Sequence, residues 1–316
     1  MAKLLNGFND EVDWRGGFVA IGNFDGVHRG HQSMIGQLVE QARADDVPAV
    51  VLTFNPHPIR LLRPEKAPPS LSTIRRKADL LGHHGVDFVI AYPTNRDLLN
   101  LSPREFFDQI VIDKLDARGL IEGPNFFFGR DRAGGTATLR EYCDAAGLRL
   151  TIVEPVKHAS DGLVSSSMIR RHIADGKIED AVRLLGHPFQ LQGIVAKGAE
   201  RGRSLGFATA NLSKIETLLP KDGVYGACCT VDDRHYRAAV NIGANPTFCE
   251  EHRKVEVHLL DFEGQLYGSM LSVDLLTRIR ETKAFDSVEQ LKNQIQQDVD
   301  KIRASIQPDT RTVSNQ

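Results

Sequence analysis

Several things are scarce in this chain, and each scarcity narrows what it can be. Of 316 residues only four are cysteine: Cys143, Cys228, Cys229 and Cys249. They form no CxxC pair and no metal-ligand spacing, so they read as free thiols in a reducing cytoplasm, and a structural zinc site is not expected. Neither sign of charge dominates. A formal net charge of −2 leaves no electrostatic footprint for nucleic acid or for an anionic membrane surface. No apolar run approaches the length of a membrane span, and the opening MAKLLNGFNDEVDW carries acidic residues where a signal peptide needs an apolar stretch. No GxxxxGK[ST] occurs, which excludes a P-loop kinase, and no internal repeat is visible.

What remains is an ordinary globular composition, 41% apolar and 25% charged, in a chain too long for one core. Two domains are expected. The first half alternates strand and helix: GFVAIG (17–22), a helix over 31–44 with Ile35, Leu38, Val39 and Ala42 on one face, and PAVVLTF (48–54). A helical pattern at 73–84, VDFVIAY (86–92), a capped helix start at Ser102-Pro103-Arg104-Glu105, RGLIEG (118–123) and LRLTIVEP (148–155) follow. This alternation predicts a Rossmann-like parallel α/β domain, with ligands at the carboxyl ends of its strands. Helical patterns at 167–175 and 178–185 bridge to a second pattern. From Pro188 short strands follow one another: QLQGIVAK, VYGACCTV, HYRAAVNIG, KVEVHLLDF and LSVDLLTRI. They predict a small antiparallel β-barrel, closed by a C-terminal helix with a capping box at Ser287 and Gln290 and a stripe of Val288, Leu291, Ile295 and Ile302. The fold class is therefore α/β plus β, with domains at 1–186 and 187–316 and a polar tail from about Ser305.

Three stretches carry chemistry. GNFDGVHRGH (22–31) follows a strand and opens a helix, so glycines let the backbone approach a ligand and the helix N-terminus offers N–H groups to phosphate. His28 and His31 stand in that turn and can donate to phosphate oxygens. GAERGRSLGFATANL (198–212) is a glycine-rich loop ending in Thr209 and Asn211, hard oxygen donors that suit Mg²⁺, an ion that takes few protein ligands. In KVEVHLLDF strand alternation puts Val255, Val257 and Leu259 on one face, with Glu256 and His258 on the other. Taken one at a time, each is matched by a blander reading: a turn with solvated histidines, a polar turn, a solvated strand face.

Together, and in this order over nearly the whole chain, these stretches resemble the bacterial two-domain enzymes that phosphorylate riboflavin to FMN and adenylylate FMN to FAD. FNPHP (54–58), GPNFFFG (123–129), SSSMIR (165–170), NIGANPTF (241–248) and DFEGQLYG (261–268) extend the resemblance. It implies that His28 and His31 are the catalytic pair of an HxGH nucleotidyltransferase and that Gly22, Phe24, Gly26, Gly30 and Asn125 hold nucleotide. Ser166 and Arg170 would close over the phosphates, Gly202 and Gly206 arch over ATP, and Thr209 and Asn211 hold Mg²⁺. Glu256 would take the proton of the riboflavin hydroxyl, leaving His258 a packing or hydrogen-bonding neighbour. ATP, riboflavin and FMN are the substrates so implied, without nucleic acid or membrane partners; weak self-association is left open. Four positions depart from the family pattern. Phe127 stands where arginine or another polar residue is usual, Ser167 for threonine, Ala208 for proline and Thr282 for glutamate. Two alternatives stay open: a first domain that adenylylates another phosphate ester, and a non-catalytic flavin-binding protein.

Overall fold

The run FVAI forms a strand buried along its whole length, as the centre of a parallel sheet covered on both faces must be. In the computed structural model, which describes residues 1–8, 13–158, 162–197, 207–245 and 250–307, this strand is β2 (Phe18–Ile21). Its partners are β1 (Lys3–Asn6), β3 (Ala49–Asn55), β4 (Phe88–Pro93), β5 (Gly119–Glu122) and β6 (Arg149–Ile152), in the order β1-β4-β3-β2-β5-β6, all parallel. Successive residues face opposite cores: Val19, Ile21, Val50 and Leu52 enter one, Phe18, Ala20, Ala49 and Val51 the other. The chain runs β2, β3, β4 in one direction and then crosses to β5 and β6. The strand order therefore reverses between β2 and β5, the place where such sheets open a ligand crevice. The edge strand β1, absent from the sequence reading, is short and half exposed, so it shows little apolar signal.

Helix α1 (Arg29–Ala44) buries Ile35, Leu38 and Ala42 as its periodicity requires. Then come α2 (Ile59–Leu62), α3 (Ile74–His83), α4 (Arg96–Asn100) and α5 (Pro103–Phe106), the last continued by a π-helical stretch over Phe107–Lys114. The expected capping box is formed at α5: Glu105 N donates to Ser102 Oγ at 3.2 Å and Ser102 N to Glu105 Oε2 at 2.8 Å. Helix α6 (Thr136–Ala146) covers the opposite face with Leu139 and Cys143, and a hairpin of β7 (Lys157–His158) and β8 (Gly162–Leu163) follows.

The second half closes into a six-stranded antiparallel barrel. Its strands are β9 (Phe189–Ala196), β10 (Ala210–Ser213), β11 (Gly223–Val231), β12 (Arg234–Asn245), β13 (Glu250–Leu259) and β14 (Met270–Arg280), in the order β10-β13-β12-β11-β14-β9. Alternate residues such as Phe189, Leu191, Val195, Val255 and Val257 fill it. Packing groups α7 (Ser166–Ala174) and α8 (Ile178–Leu185) with this barrel: the two compact units are Met1–Pro68 with Ser72–Ser165, and Pro69–Leu71 with Ser166–Gln316. Helix α8 buries Ile178, Ala181, Leu184 and Leu185, and Glu179 Oε1 accepts from Arg278 N at 2.8 Å and Thr277 Oγ1 at 2.5 Å. Gly186 is the left-handed C-cap of α8, whereas the compact units divide at Ser165 and Ser166 rather than near 186–188.

Helix α9 (Val288–Ser305) starts at Ser287, whose Oγ accepts from Gln290 N at 3.2 Å. The return bond is displaced by one residue, since Gln290 Oε1 accepts from Asp286 N. Of the expected stripe, Ile302 is buried, Ile295 packs against it and Val299 extends it, while Val288 at the helix start is 52% exposed and Asp298 is buried at the contact. Asp298 is there because Arg280 grips it, Nε and Nη2 each 2.8 Å from Oδ2. Cys143, Cys228 and Cys229 are free thiols; Cys249, and the Gly202 and Gly206 expected to arch over ATP, lie outside the described residues.

Candidate active sites

The turn from β2 into α1 stands at the carboxyl end of the central strand, beside the reversal of strand order. His28 is the N-cap of α1, and its Nδ1 accepts from His31 N at 3.4 Å. The His28 and His31 rings stack with centroids 3.6 Å apart, and Phe24 meets His31 edge-on at 5.3 Å. Burial, then the neighbouring charges of His28 and Lys77, push the His31 imidazole well below its ordinary pKa. His31 is therefore a neutral donor at physiological pH. Its Nδ1 is buried with no partner among the described residues, a cost that a bound anion would relieve.

This turn is strained. Phe24 and Val27 have φ of 45° and 40°, left-handed values that bulky residues avoid. They persist because their side chains are locked in the core at 2% and 0% exposure. Of the expected nucleotide contacts, Phe24 can thus offer only its backbone. A Cβ on Gly22 would stand 3.2 Å from the Phe24 ring, and one on Gly30 3.2 Å from the His28 ring, so glycine is what lets both rings lie against the chain.

Beneath the turn lies a polar layer missing from the sequence reading. Asp25 Oδ1 accepts from Ser72 N at 3.2 Å and Ser72 Oγ at 3.3 Å, and Gly26 N donates to Ser72 Oγ at 3.2 Å. Lys77 Nζ donates to Asn23 O and to Thr53 Oγ1. Glu122, 1% exposed, accepts from Ile21 N at 2.8 Å, bridging β2 and β5 just beyond the last paired residues of their ladder. Burial drives its carboxyl well above the usual range, the single backbone bond opposing this only in part. Signals existed: Asp25 is inside GNFDGVHRGH, Lys77 interrupts an apolar stripe, and Glu122 ends a buried strand.

Asn125 follows β5 and is exposed. Phe127, one of the departures, is 48% exposed with the Arg132 guanidinium 4.7 Å from its ring centroid. A cation therefore does lie at that position, supplied by stacking. Ser166 opens α7, and Arg170 one turn on donates Nε to Pro69 O at 2.8 Å. Both belong to the second unit.

On the barrel, β13 lies between β10 and β12, and Glu256 stands directly opposite Asn211 on one side and Asn241 on the other. These three side chains share a face, opposite to the buried Val255 and Val257. His258 Nδ1 donates to Ala208 O at 2.8 Å and its ring meets Phe207 edge-on at 5.5 Å. It thereby ties down the segment before Thr209, where proline is the family's usual device. Thr209 and Asn211 line a cavity of about 690 Å³ together with Phe207, Asp261, Tyr267 and Arg303. Asn211 also lines a second cavity, of about 500 Å³, edged by Lys197, Lys214, Arg253 and Lys254. Among the described residues no group of three His, Cys, Asp or Glu side chains could hold a metal.

Both halves have relatives. The FAD synthetase family model matches residues 10–168, and the riboflavin kinase family model matches residues 185–306. A bifunctional riboflavin kinase/FMN adenylyltransferase from Pseudomonas fluorescens is 39% identical over 97% of this chain and 98% of its own length. The protein of that name from Bacillus subtilis (strain 168) is 35% identical over 89% of each chain. A crystal structure of a macrolide-efflux protein from Streptococcus pneumoniae matches with a TM-score of 0.82 at 31% identity, covering 96% of this chain and 98% of that one.

Proposed function

We propose a division of labour among the residues of a chain that belongs to the bifunctional riboflavin kinase/FMN adenylyltransferase family. As a member it is a transferase with two activities: the C-terminal half phosphorylates riboflavin to FMN with ATP, and the N-terminal half adenylylates FMN to FAD, releasing pyrophosphate. We assign the adenylyltransferase to 1–186 and the kinase to 187–316, and place both in a reducing cytoplasm on the strength of the free thiols.

For adenylyl transfer, a phosphate oxygen of FMN attacks the α-phosphorus of ATP, and the bond to the bridging oxygen breaks as pyrophosphate leaves. Charge builds on the α-phosphate oxygens during that step. His28, neutral His31 and the first N–H groups of α1 are donors fixed in advance at one turn, which is the arrangement that stabilises developing negative charge. Gly22, Gly26, Gly30 and the Phe24 backbone shape that turn, Asn125 contacts nucleotide or FMN, and Ser166 and Arg170 act on the phosphates; the last three roles rest on their motifs.

For the kinase, the observation that carries the reading is the cross-strand row of Asn211 and Glu256, with Asn211 lining both cavities. Two substrates meeting at one phosphoryl group need such a shared wall. Glu256 takes the proton of the riboflavin hydroxyl as that oxygen attacks the γ-phosphorus and ADP departs with the electron pair of the broken bond. Thr209 Oγ1 and Asn211 Oδ1 are neutral hard oxygens, and Glu256 stands opposite Asn211. Thr209 and Asn211 line one cavity and suit Mg²⁺, whose remaining positions phosphates and waters would fill. When bound, the ion would neutralise charge on the transferring phosphate. Gly202 and Gly206, outside the described residues, are assigned to ATP on their motif alone.

No described helix is long and apolar enough to cross a membrane, and no observation favours a second reading. The test is to supply the purified chain with riboflavin, ATP and Mg²⁺ and follow products by chromatography. FMN with ADP should appear first, then FAD with pyrophosphate; neither flavin product across a range of Mg²⁺ would overturn the proposal.

A further inference from the structure

Helix α3 carries a lysine where its apolar stripe calls for an apolar side chain. Ile74, Ala78 and Leu81 mark the stripe, and Lys77 stands on it at 7% exposure. Its amine does not turn back to solvent. Nζ donates to Asn23 O at 2.5 Å and to Thr53 Oγ1 at 3.2 Å, while Thr53 Oγ1 donates to the same Asn23 carbonyl at 3.2 Å. A buried ammonium is costly to hold, and leucine or methionine would fill the same space without that cost. The contacts it makes are all with the histidine turn or the strand under it.

We propose that Lys77 is a positioning residue for adenylyl transfer, its ammonium drawing the Asn23 carbonyl into the protein and so aiming the Phe24 N–H outward at phosphate. The proposal rests on the adenylyltransferase reading of this turn. In a trans peptide C=O and N–H point in opposite directions, so fixing Asn23 O fixes the direction of Phe24 N–H. That N–H has no acceptor among the described residues. Phe24 is in the left-handed region, and farther along the turn Gly26 N and Val27 N are already engaged, on Ser72 Oγ and Phe24 O. His28 and His31 follow in the same turn, so any tilt of the Asn23–Phe24 peptide moves them too.

The groups around Lys77 are few. The turn brings Asp25, whose charge favours the ammonium, and the start of α1 brings His28 and His31. Strand β3 brings the hydroxyl of Thr53, and the approach to α3 brings that of Ser72, which is bonded to Asp25. Burial lowers Lys77 to about 8, Asp25 opposing this, so the ammonium is present at neutral pH and lost above that value.

The experiment measures kcat/KM for FAD formation from supplied FMN across about pH 6 to 10, using the full chain as wild type, Lys77→Arg and Lys77→Met. Kinase activity of the same preparations controls for titration of ATP and flavin. Wild type should fall through about pH 8 as Lys77 loses its proton. Lys77→Arg, which stays charged, should carry its activity at least about one pH unit higher. Lys77→Met should be about 10- to 100-fold slower at neutral pH, as for a misplaced catalytic group, with no fall near pH 8. Lys77→Met within threefold of wild type, or the same fall near pH 8 in every variant, would overturn the proposal. If one variant does not melt cooperatively, the basic limb of the other decides. Wild type that makes no FAD at any pH would instead overturn the adenylyltransferase reading on which this proposal stands.

Discussion

The N-terminal unit sets its chemistry on a strained turn above buried ionisable groups; the C-terminal unit sets it on the outer face of a barrel strand. In the first, Phe24 and Val27 are held in left-handed conformations, His31 is forced neutral, and Lys77 and Glu122 lie buried with perturbed pKa values. In the second, Glu256 and Asn211 are partly exposed and strand register sets them opposite one another. The difference teaches where each site is vulnerable. A turn over buried charge depends on many residues that never touch substrate, so distant substitutions and pH should disturb it. A row on a β-strand depends on the barrel staying closed, and its chemistry should fail mainly when the row itself is changed.

The sharpest way to probe the contrast is Glu256→Gln. Kinase turnover should fall about 10²- to 10⁴-fold, the size of a general-base effect, while adenylylation of supplied FMN stays near wild type. A kinase rate within threefold of wild type would reduce Glu256 to a solvated strand residue. The mirror experiment is His31→Ala, with FAD formation lowered about 10²- to 10³-fold for loss of one preorganised donor and FMN formation intact. Equal loss of both activities would point to misfolding or to one shared site.

A smaller effect concerns what holds the barrel. Fragment 187–316 keeps every strand of the barrel and α9 but loses α8, with the buried Ile178, Leu184 and Leu185 and the Glu179 bonds to β14. Fragment 166–316 keeps them. Removing three such side chains costs about 4 kcal/mol or more, so the shorter fragment should melt more than about 10 °C lower, with both fragments still making FMN wherever they are folded. Equal melting temperatures would show that α8 rides on the barrel without stabilising it.

Much of this architecture was legible from pattern. The strands FVAI and AVVLTF declared a doubly covered parallel sheet by being apolar without alternation, and VEVHL declared a barrel strand by alternating. The box at Ser102 and Glu105 was legible because its parts are local. At Ser287 the return bond goes to Asp286 N, and the stripe of α9 held at Ile295 and Ile302, but the buried Asp298 was not legible because its partner Arg280 lies eighteen positions away in sequence. Lys77 escaped because periodicity treats lysine as surface, and only the fold brings Asn23 and Thr53 to it. Glu122 escaped because its meaning lies in the divergence of β2 from β5. The grouping of α7 and α8 with the barrel depends on tertiary contact that no boundary signal records. Gly202 and Gly206 remain motif-based expectations.

The central claim is that each activity has its own site and that FMN passes between them through solution. Mixing equal amounts of the Glu256→Gln and His31→Ala proteins with riboflavin, ATP and Mg²⁺ tests it directly. Neither protein alone should make appreciable FAD. The mixture should, because His31→Ala supplies FMN that Glu256→Gln adenylylates, with a lag that shortens as total protein rises. A mixture that accumulates FMN but no FAD, although Glu256→Gln adenylylates added FMN at the wild-type rate, would contradict free passage. No recovery of either flavin product would contradict the separation of the two sites.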